Sequence, residues 1–242
     1  MLLAIDVGNT RIKSAVFEQD NMMEQFIFSN EDFLEKIEII FKKYSKVAII
    51  VVASVGNLEK EDFSAFENRA KIVFITRELN FPFTNQYDTP NTLGIDRMVL
   101  ASGAAIQFPK KNRLIIDAGT CITYDFVDEN DNYLGGAISP GIRLRYESLH
   151  NYTAKLPLLK REIPKNTIGK STEQSIHSGV INSVVFEIDG HIDSFITKND
   201  NFIIIFTGGD ADFLANKLKN TIFANSNFLL ESLNQIYQYN QK

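Results

Sequence analysis

Short apolar runs broken by polar turns set the rhythm of the chain. Leu2 to Ile5 reads as a buried strand, Ile12 to Glu18 alternates as a second, and Phe26 to Phe28 offers a third. Glu31 to Tyr44 places Phe33, Leu34, Ile37, Ile40 and Phe41 at helical spacing. Val47 to Ala53 is continuously apolar, as expected of a parallel strand covered on both faces. Lys60 to Arg69 predicts a helix and Ile72 to Ile75 a strand. Phe81 to Leu93, with Pro82 and Pro90, predicts a loop, and Ile95 to Ile106 a helix beginning at Asp96.

The opening pattern then returns. Leu3-Ala-Ile-Asp6-Val-Gly8-Asn-Thr10 is matched by Leu114-Ile-Ile-Asp117-Ala-Gly119-Thr120, and the two aspartates lie 111 residues apart. Each copy is followed by a second strand, Ile12 to Phe17 in one and Ile122 to Val127 in the other. A repeat of this length in a chain of 242 residues predicts internal duplication. Two α/β domains are expected, 1–110 and 111–242, joined at the polar stretch Pro109-Lys110-Lys111-Asn112. The second half continues with turns at Gly135-Gly136 and Pro140-Gly141 and a helix from Thr172 to about Phe195. The strand Phe202 to Phe206, the turn Thr207-Gly208-Gly209-Asp210 and a helix from Ala211 to Leu218 complete it.

Composition narrows the function class. A net charge of -5 is not the basic footprint of a nucleic-acid binder. With Cys121 as the one cysteine, no intramolecular disulfide forms, and a cytoplasmic location is expected. The N-terminus has no signal-peptide pattern, and no apolar stretch approaches the ~20 residues a membrane-spanning helix needs.

Four segments carry chemistry. In Asp6-Val-Gly-Asn-Thr-Arg-Ile-Lys13, Gly8 allows close backbone approach, and successive N–H groups make an anion-binding concavity. Asp6 is suited to a hydrated Mg²⁺ that bridges phosphates. Alone, such a turn reads equally well as a polar hairpin; the second copy, Asp117 to Thr123, points to two turns sharing one polyphosphate. Thr207-Gly-Gly-Asp-Ala211 follows a strand and opens a helix, a place for a base or ribose, though a lone Gly-Gly turn is also an ordinary connection. In Tyr87-Asp-Thr-Pro-Asn-Thr-Leu-Gly94-Ile-Asp96-Arg97, Asp96 suits either a helix start or a proton acceptor, and Arg97 offers a fork for an acidic or hydroxyl-rich substrate.

Rival motifs fail. There is no P-loop and no Gly-x-Gly-x-x-Gly fingerprint, and His150, His177 and His191 lack zinc-ligand spacing.

Taken together, Asp6-x-Gly-Asn-Thr-x-x-Lys13, Gly94-x-Asp-Arg97, Asp117-x-Gly-Thr120, Gly135-Gly-x-Ile-x-Pro-Gly141, Gly169-Lys-Ser-Thr172 and Thr207-Gly-Gly-Asp-Ala211 resemble the type III pantothenate kinases. The match runs from residue 2 to about 218; the segment from Phe223 onward carries no motif of the family. The resemblance implies two duplicated ribonuclease H-like (actin-like) domains with an interdomain nucleotide cleft, within the acetate and sugar kinase, Hsp70 and actin superfamily. It implies ATP binding by Asp6, Val7, Gly8, Asn9, Thr10, Arg11, Ile12, Lys13 and Thr120, and Asp96 as catalytic base. It implies pantothenate binding by Tyr87, Gly94, Ile95, Asp96, Arg97 and Thr172. Asp117 would hold a monovalent cation, K⁺ or NH₄⁺, and Mg²⁺ would accompany ATP. A homodimer is implied, with the substrate pocket built partly at the dimer contact. A sugar or amino-sugar kinase of the same superfamily, an actin-like filament subunit, and a non-catalytic nucleotide-binding paralogue are the competing readings.

Overall fold

The structure, a computed structural model, describes residues 1–54, 58–198 and 200–241. The chain falls into two compact units: Met1–Pro109 with Asp131–Tyr133 and Asn227–Lys242, and Lys110–Asn130 with Leu134–Ser226.

The first unit contains β1 (Leu2–Val7), β2 (Ile12–Glu18), β3 (Asn21–Phe28), α1 (Phe33–Lys43), β4 (Ile49–Ser54), β5 (Lys71–Phe74), β6 (Thr84–Asn85) and α2 (Ile95–Gln107). Its main sheet has the order β3-β2-β1-β4-β5. β1 pairs antiparallel with β2 and parallel with β4, so β1 and β4 are covered on both faces, and this accounts for their unbroken apolar sequences. Phe33, Ile37, Ile40 and Phe41 of α1 join Leu3, Ile5 and other buried side chains in one core. Leu34, predicted on the same face, is exposed. The helix predicted from Lys60 is a tight 3₁₀ segment, Lys60–Phe66, whose Phe63 and Phe66 enter that core.

The second unit contains β7 (Asn112–Ala118), β8 (Cys121–Val127), most of β9 (Asn132–Pro140), α3 (Ile142–Asn151), α4 (Thr172–His177), α5 (Ser183–Ile196), β10 (Phe202–Thr207), α6 (Ala211–Ala215) and β11 (Phe223–Ala224). Its strands run β11-β10-β7-β8-β9. Again the first strand pairs antiparallel with the second and parallel with the next that follows the helices. Read outward from β1 and from β7, the two units share one strand order.

Further sequence expectations change in three places beyond Leu34 and the Lys60 segment. Gly135 and Gly136 lie inside β9 and not at a turn. A Cβ on Gly136 would overlap the Tyr124 carbonyl oxygen and sit 2.7 Å from its carbon, so the glycine permits close approach of neighbouring strands. The helix predicted from Thr172 to about Phe195 is interrupted by a π-helical turn, Ser178–Asn182. Finally, α7 (Phe228–Tyr239) packs against α2, β1, β2 and β4 in the first unit, although its sequence lies at the end of the second half. A Cβ on Gly103 would overlap Ser232 Oγ and lie 3.2 Å from the Ser232 Cα. The missing side chain lets these two helices touch.

Candidate active site

The Asp6 turn begins where β1 ends. Asp6 and Val7 are buried, and Val7 pairs with Ile12 across the ladder. Gly8, Asn9, Thr10 and Arg11 make the connection, closed by the Gly8 N–H donating to the Arg11 carbonyl at 3.2 Å. Asn9, Thr10 and Arg11 are exposed, and Ile12 is buried. Lys13 stands opposite Asp6, so an ammonium and a carboxylate share one side of the β1–β2 ladder.

The Asp117 turn has the same plan with one residue fewer. Ala118 pairs with Ile122, leaving Gly119, Thr120 and Cys121 to turn the chain, and the Gly119 N–H donates to the Cys121 carbonyl at 2.9 Å. Thr120 is exposed. Opposite Asp117 stands neutral Thr123 where the first turn has Lys13, and Thr123 Oγ1 is buried without a hydrogen-bond partner. Gly208, at φ +103°, closes in from the end of β10: a Cβ there would overlap Asp117 Oδ1 and the Ala118 carbonyl oxygen. Gly141 seats against the far side of the turn. Its N–H donates to the Thr120 carbonyl at 3.0 Å, and a Cβ would overlap the Gly119 carbonyl oxygen and lie 2.5 Å from that of Thr120. Two motifs distant in sequence are thereby explained by contact with this one turn.

The Asp117 carboxylate and the orphaned Thr123 hydroxyl across the ladder are hard oxygen donors, the chemistry that a K⁺ or NH₄⁺ ion takes, so these two residues fit a monovalent cation. Among the described residues no group of three or more His, Cys, Asp and Glu is arranged to hold a metal ion. Mg²⁺ characteristically binds through substrate phosphates and one or two carboxylates, a role that buried Asp6 fits.

Asp96 sits in the first turn of α2. Arg77 donates to the Leu93 carbonyl at 2.7 Å and ties down the preceding loop. Gly94 is extended, at φ -60° and ψ 140°, and its carbonyl accepts the Met98 N–H as the helix begins. Asp96 Oδ1 accepts the Arg97 N–H at 2.8 Å, while Oδ2 has no partner among the described residues. Ile95 and Asp96 are half-buried. Arg97 is buried, with its guanidinium 5.8 Å from the centre of the Tyr87 ring. Tyr87, Gly94, Ile95, Asp96 and Arg97 thus come together in the first unit.

Thr172 lies in the second unit, exposed at the start of α4, and lines a cavity of about 830 Å³ together with Gly169, Lys170, Ser171, Gly179 and Arg145. Beneath it is a polar cluster that sequence reasoning missed. Glu187 of α5 accepts from the Tyr124 hydroxyl at 2.8 Å, from Ser139 Oγ, and from Arg145 Nη2 at 2.5 Å. Burial pushes the Glu187 carboxyl up, but the three donors and the Arg145 charge outweigh it and hold it below the usual carboxylate range. Burial, reinforced by Glu187, pushes the Tyr124 phenol up. Arg145 and Glu187 are 42 residues apart, so no sequence spacing announces the pair. Thr123 carried a readable signal, since strand alternation puts it across from Asp117.

These features match known proteins. A family model described as type III pantothenate kinase matches residues 2–194. A type III pantothenate kinase of Flavobacterium psychrophilum is 66% identical over 239 residues, covering 99% of each chain. That of Flavobacterium johnsoniae is 64% identical, covering 99% of this chain and 98% of its own. A solved Campylobacter jejuni structure, described as a conserved Baf family transcriptional activator, is 21% identical with a TM-score of 0.62, covering 99% of this chain and 98% of its own. At that identity the likeness is one of fold. The near-full-length identity to the two Flavobacterium enzymes, together with a family model spanning both glycine turns, Asp96 and Thr172, establishes that the chain belongs to the type III pantothenate kinase family.

Proposed function

We propose that this protein transfers the γ-phosphoryl group of ATP to the primary hydroxyl of pantothenate, giving 4'-phosphopantothenate in the first step of coenzyme A synthesis. The observation that carries this reading is the 66% identity to a type III pantothenate kinase across 99% of both chains.

The protein's own work is positioning and charge stabilisation, because phosphoryl transfer asks little covalent chemistry of it. The backbone N–H groups of Asp6 to Lys13 and the hydroxyls of Thr10 and Thr120 hold the phosphates. Asp96 accepts the acceptor hydroxyl's proton late, as the P–O bond forms, and its uncommitted Oδ2 is the atom for that task. Arg97, buried beside Tyr87, orients the hydroxyl-bearing end of the acceptor. Tyr87, Gly94, Ile95 and Thr172 contribute further contacts to pantothenate. Asp6 would hold the Mg²⁺ that accompanies ATP and Asp117 a K⁺ or NH₄⁺ ion, and these would supply positive charge against the polyphosphate. The enzyme acts as a cytoplasmic homodimer, and no described helix is long and apolar enough to cross a membrane.

The test is ADP release with and without pantothenate, in potassium and then in sodium. Pantothenate-dependent, potassium-dependent turnover is expected. ADP release indifferent to pantothenate, or driven instead by a sugar, overturns the assignment.

A further inference from the structure

The segment from Phe223 onward carries none of the motifs read from the sequence, yet α7 is built into the first unit. β1 sends Leu3, Ile5 and Val7 into the core beneath α1, so strand alternation puts Leu2, Ala4 and Asp6 on the opposite face. Ala15 of β2 and Ala53 of β4, paired with Ala4 and Asp6, lie on that face and are buried. α7 packs against β1, β2 and β4, and α2 against β4. Among the described residues neither helix supplies a side chain to the α1 core, so the two cover the second face, where small side chains let them lie close.

The direction of each helix follows from its contacts. Asn234 Nδ2 donates to the Gln19 carbonyl at 2.8 Å, and Gln238 Nε2 donates to the same carbonyl at 3.3 Å and to Asp20 Oδ1 at 3.1 Å. Gln19 and Asp20 form the β2–β3 turn, next to the start of β1, because Leu2 pairs with Phe17. The C-terminal half of α7 is therefore latched at the start of β1, and buried Phe228, Leu230 and Leu233 run back over the sheet toward the Asp6 end. α2 points the same way: Gly103 meets Ser232, and further along both helices Gln107 Nε2 donates to Gln235 Oε1 at 3.1 Å. Both helix N-termini thus lie at the Asp6 end of β1. Asp96 stands about 10 Å along α2 from the Gly103 contact.

We infer that α7 is the strut that sets the place of Asp96 relative to the Asp6 turn, and that Ser232 and Gln235 are its positioning residues. The inference rests on the proposed function, with Asp96 as base and the Asp6 turn holding phosphate. Ser232 is fully buried, with its Oγ donating to the Phe228 carbonyl at 2.6 Å, and it sets how near α2 comes. Gln235 sets how far α2 slides along α7. α2 has no proline and is buried from Arg97 to Ala105, so a displacement at Gly103 is carried to Asp96. Misplacing a reacting group by about 1 Å can cost about 10²-fold in rate.

The experiment separates positioning from stability. Gly103→Ala, the same change combined with Ser232→Gly, and Ile37→Val in the α1 core are assayed at a temperature where circular dichroism shows them folded. In Gly103→Ala the added Cβ overlaps Ser232 Oγ and lies 2.6 Å from its Cβ, so α2 must move. Its kcat is expected to fall about ten- to a hundredfold while ATP affinity by calorimetry stays within about threefold. Ser232→Gly removes both clashing atoms and leaves the Ser232 Cα at 3.2 Å, so the double variant should regain kcat to within about threefold of wild type. Ile37→Val lowers the melting temperature from the other face of the sheet and should keep kcat within about twofold. If Gly103→Ala does not fold, Gln235→Ala takes its place, with kcat lowered about three- to tenfold and restored by Gln235→Glu, whose carboxylate accepts the same bond. Wild-type turnover of pantothenate, with kcat kept in Gly103→Ala, lost equally in Ile37→Val or not regained in the double variant, overturns the role of α7 and leaves the kinase assignment standing. Wild-type enzyme with no pantothenate-dependent ADP release overturns both.

Discussion

The Asp96 carboxylate occupies the space a side chain on Gly94 would need: a Cβ on Gly94 would overlap Asp96 Oδ1 and lie 3.5 Å from its Cγ. The glycine of the Gly-x-Asp-Arg segment therefore makes room for the Asp96 carboxylate, the proposed proton acceptor. Gly94→Ala is expected to push the carboxylate aside and lower kcat at least tenfold while leaving ATP binding by calorimetry within about threefold. Asp96→Asn, which removes the base and keeps the shape, should lower kcat about 10²- to 10⁴-fold. Near-normal turnover in Asp96→Asn refutes the assignment of the base.

Asp117, Thr123 and Gly208 make a second, separable prediction. Asp117→Asn should raise the potassium concentration for half-maximal activity at least tenfold, since it removes the charged member of the donor set. Thr123→Val should raise it less. Gly208→Ala combines a strained positive φ with overlap on Asp117 and should destabilise the fold by about 1–3 kcal/mol. Potassium-dependent shifts in melting temperature read the same site without catalysis. Wild-type and Asp117→Asn proteins stabilised equally by potassium rule the site out.

Helix packing in the first unit is testable through Gly103. Gly103→Val forces a branched side chain onto Ser232 Oγ and the nearby backbone of α7. The expected loss is about 1–3 kcal/mol, or several degrees in melting temperature for a protein of this size. Unchanged melting would mean that α7 does not sit as described.

Acid should expose the role of Glu187. Its folded pKa is depressed, so it contributes stability above its unfolded value near 4.5, and that contribution is lost as pH falls through the lower folded value. Urea unfolding at pH 7 and at pH 3 should show wild-type protein losing more stability than Glu187→Gln. Equal losses would mean that the Ser139, Arg145 and Tyr124 bonds do not favour the ionised form.

Local signals were the readable ones. Continuous apolar runs at β1, β4, β7 and β10, and the repeated Asp-x-Gly turn, are written within a few residues of one another and survive as drawn. Asp96 could be placed at a helix start for the same reason. Longer-range meaning was hidden. Gly136 and Gly141 look like turn formers until strand β9 and the Asp117 turn press against them. The Arg145–Glu187 pair depends on α3 and α5 meeting over β8, and the membership of α7 depends on a gap left by Gly103. Such contacts are fixed by tertiary packing, which neither periodicity nor spacing encodes.

The return of α7 to the first unit also has a bearing on synthesis. Every strand and helix of the second unit is complete by residue 226, whereas the first unit needs Phe228 to Ile236 to fill its core. On the ribosome, the half of the molecule translated earliest therefore lacks part of its core until α7 has been synthesised.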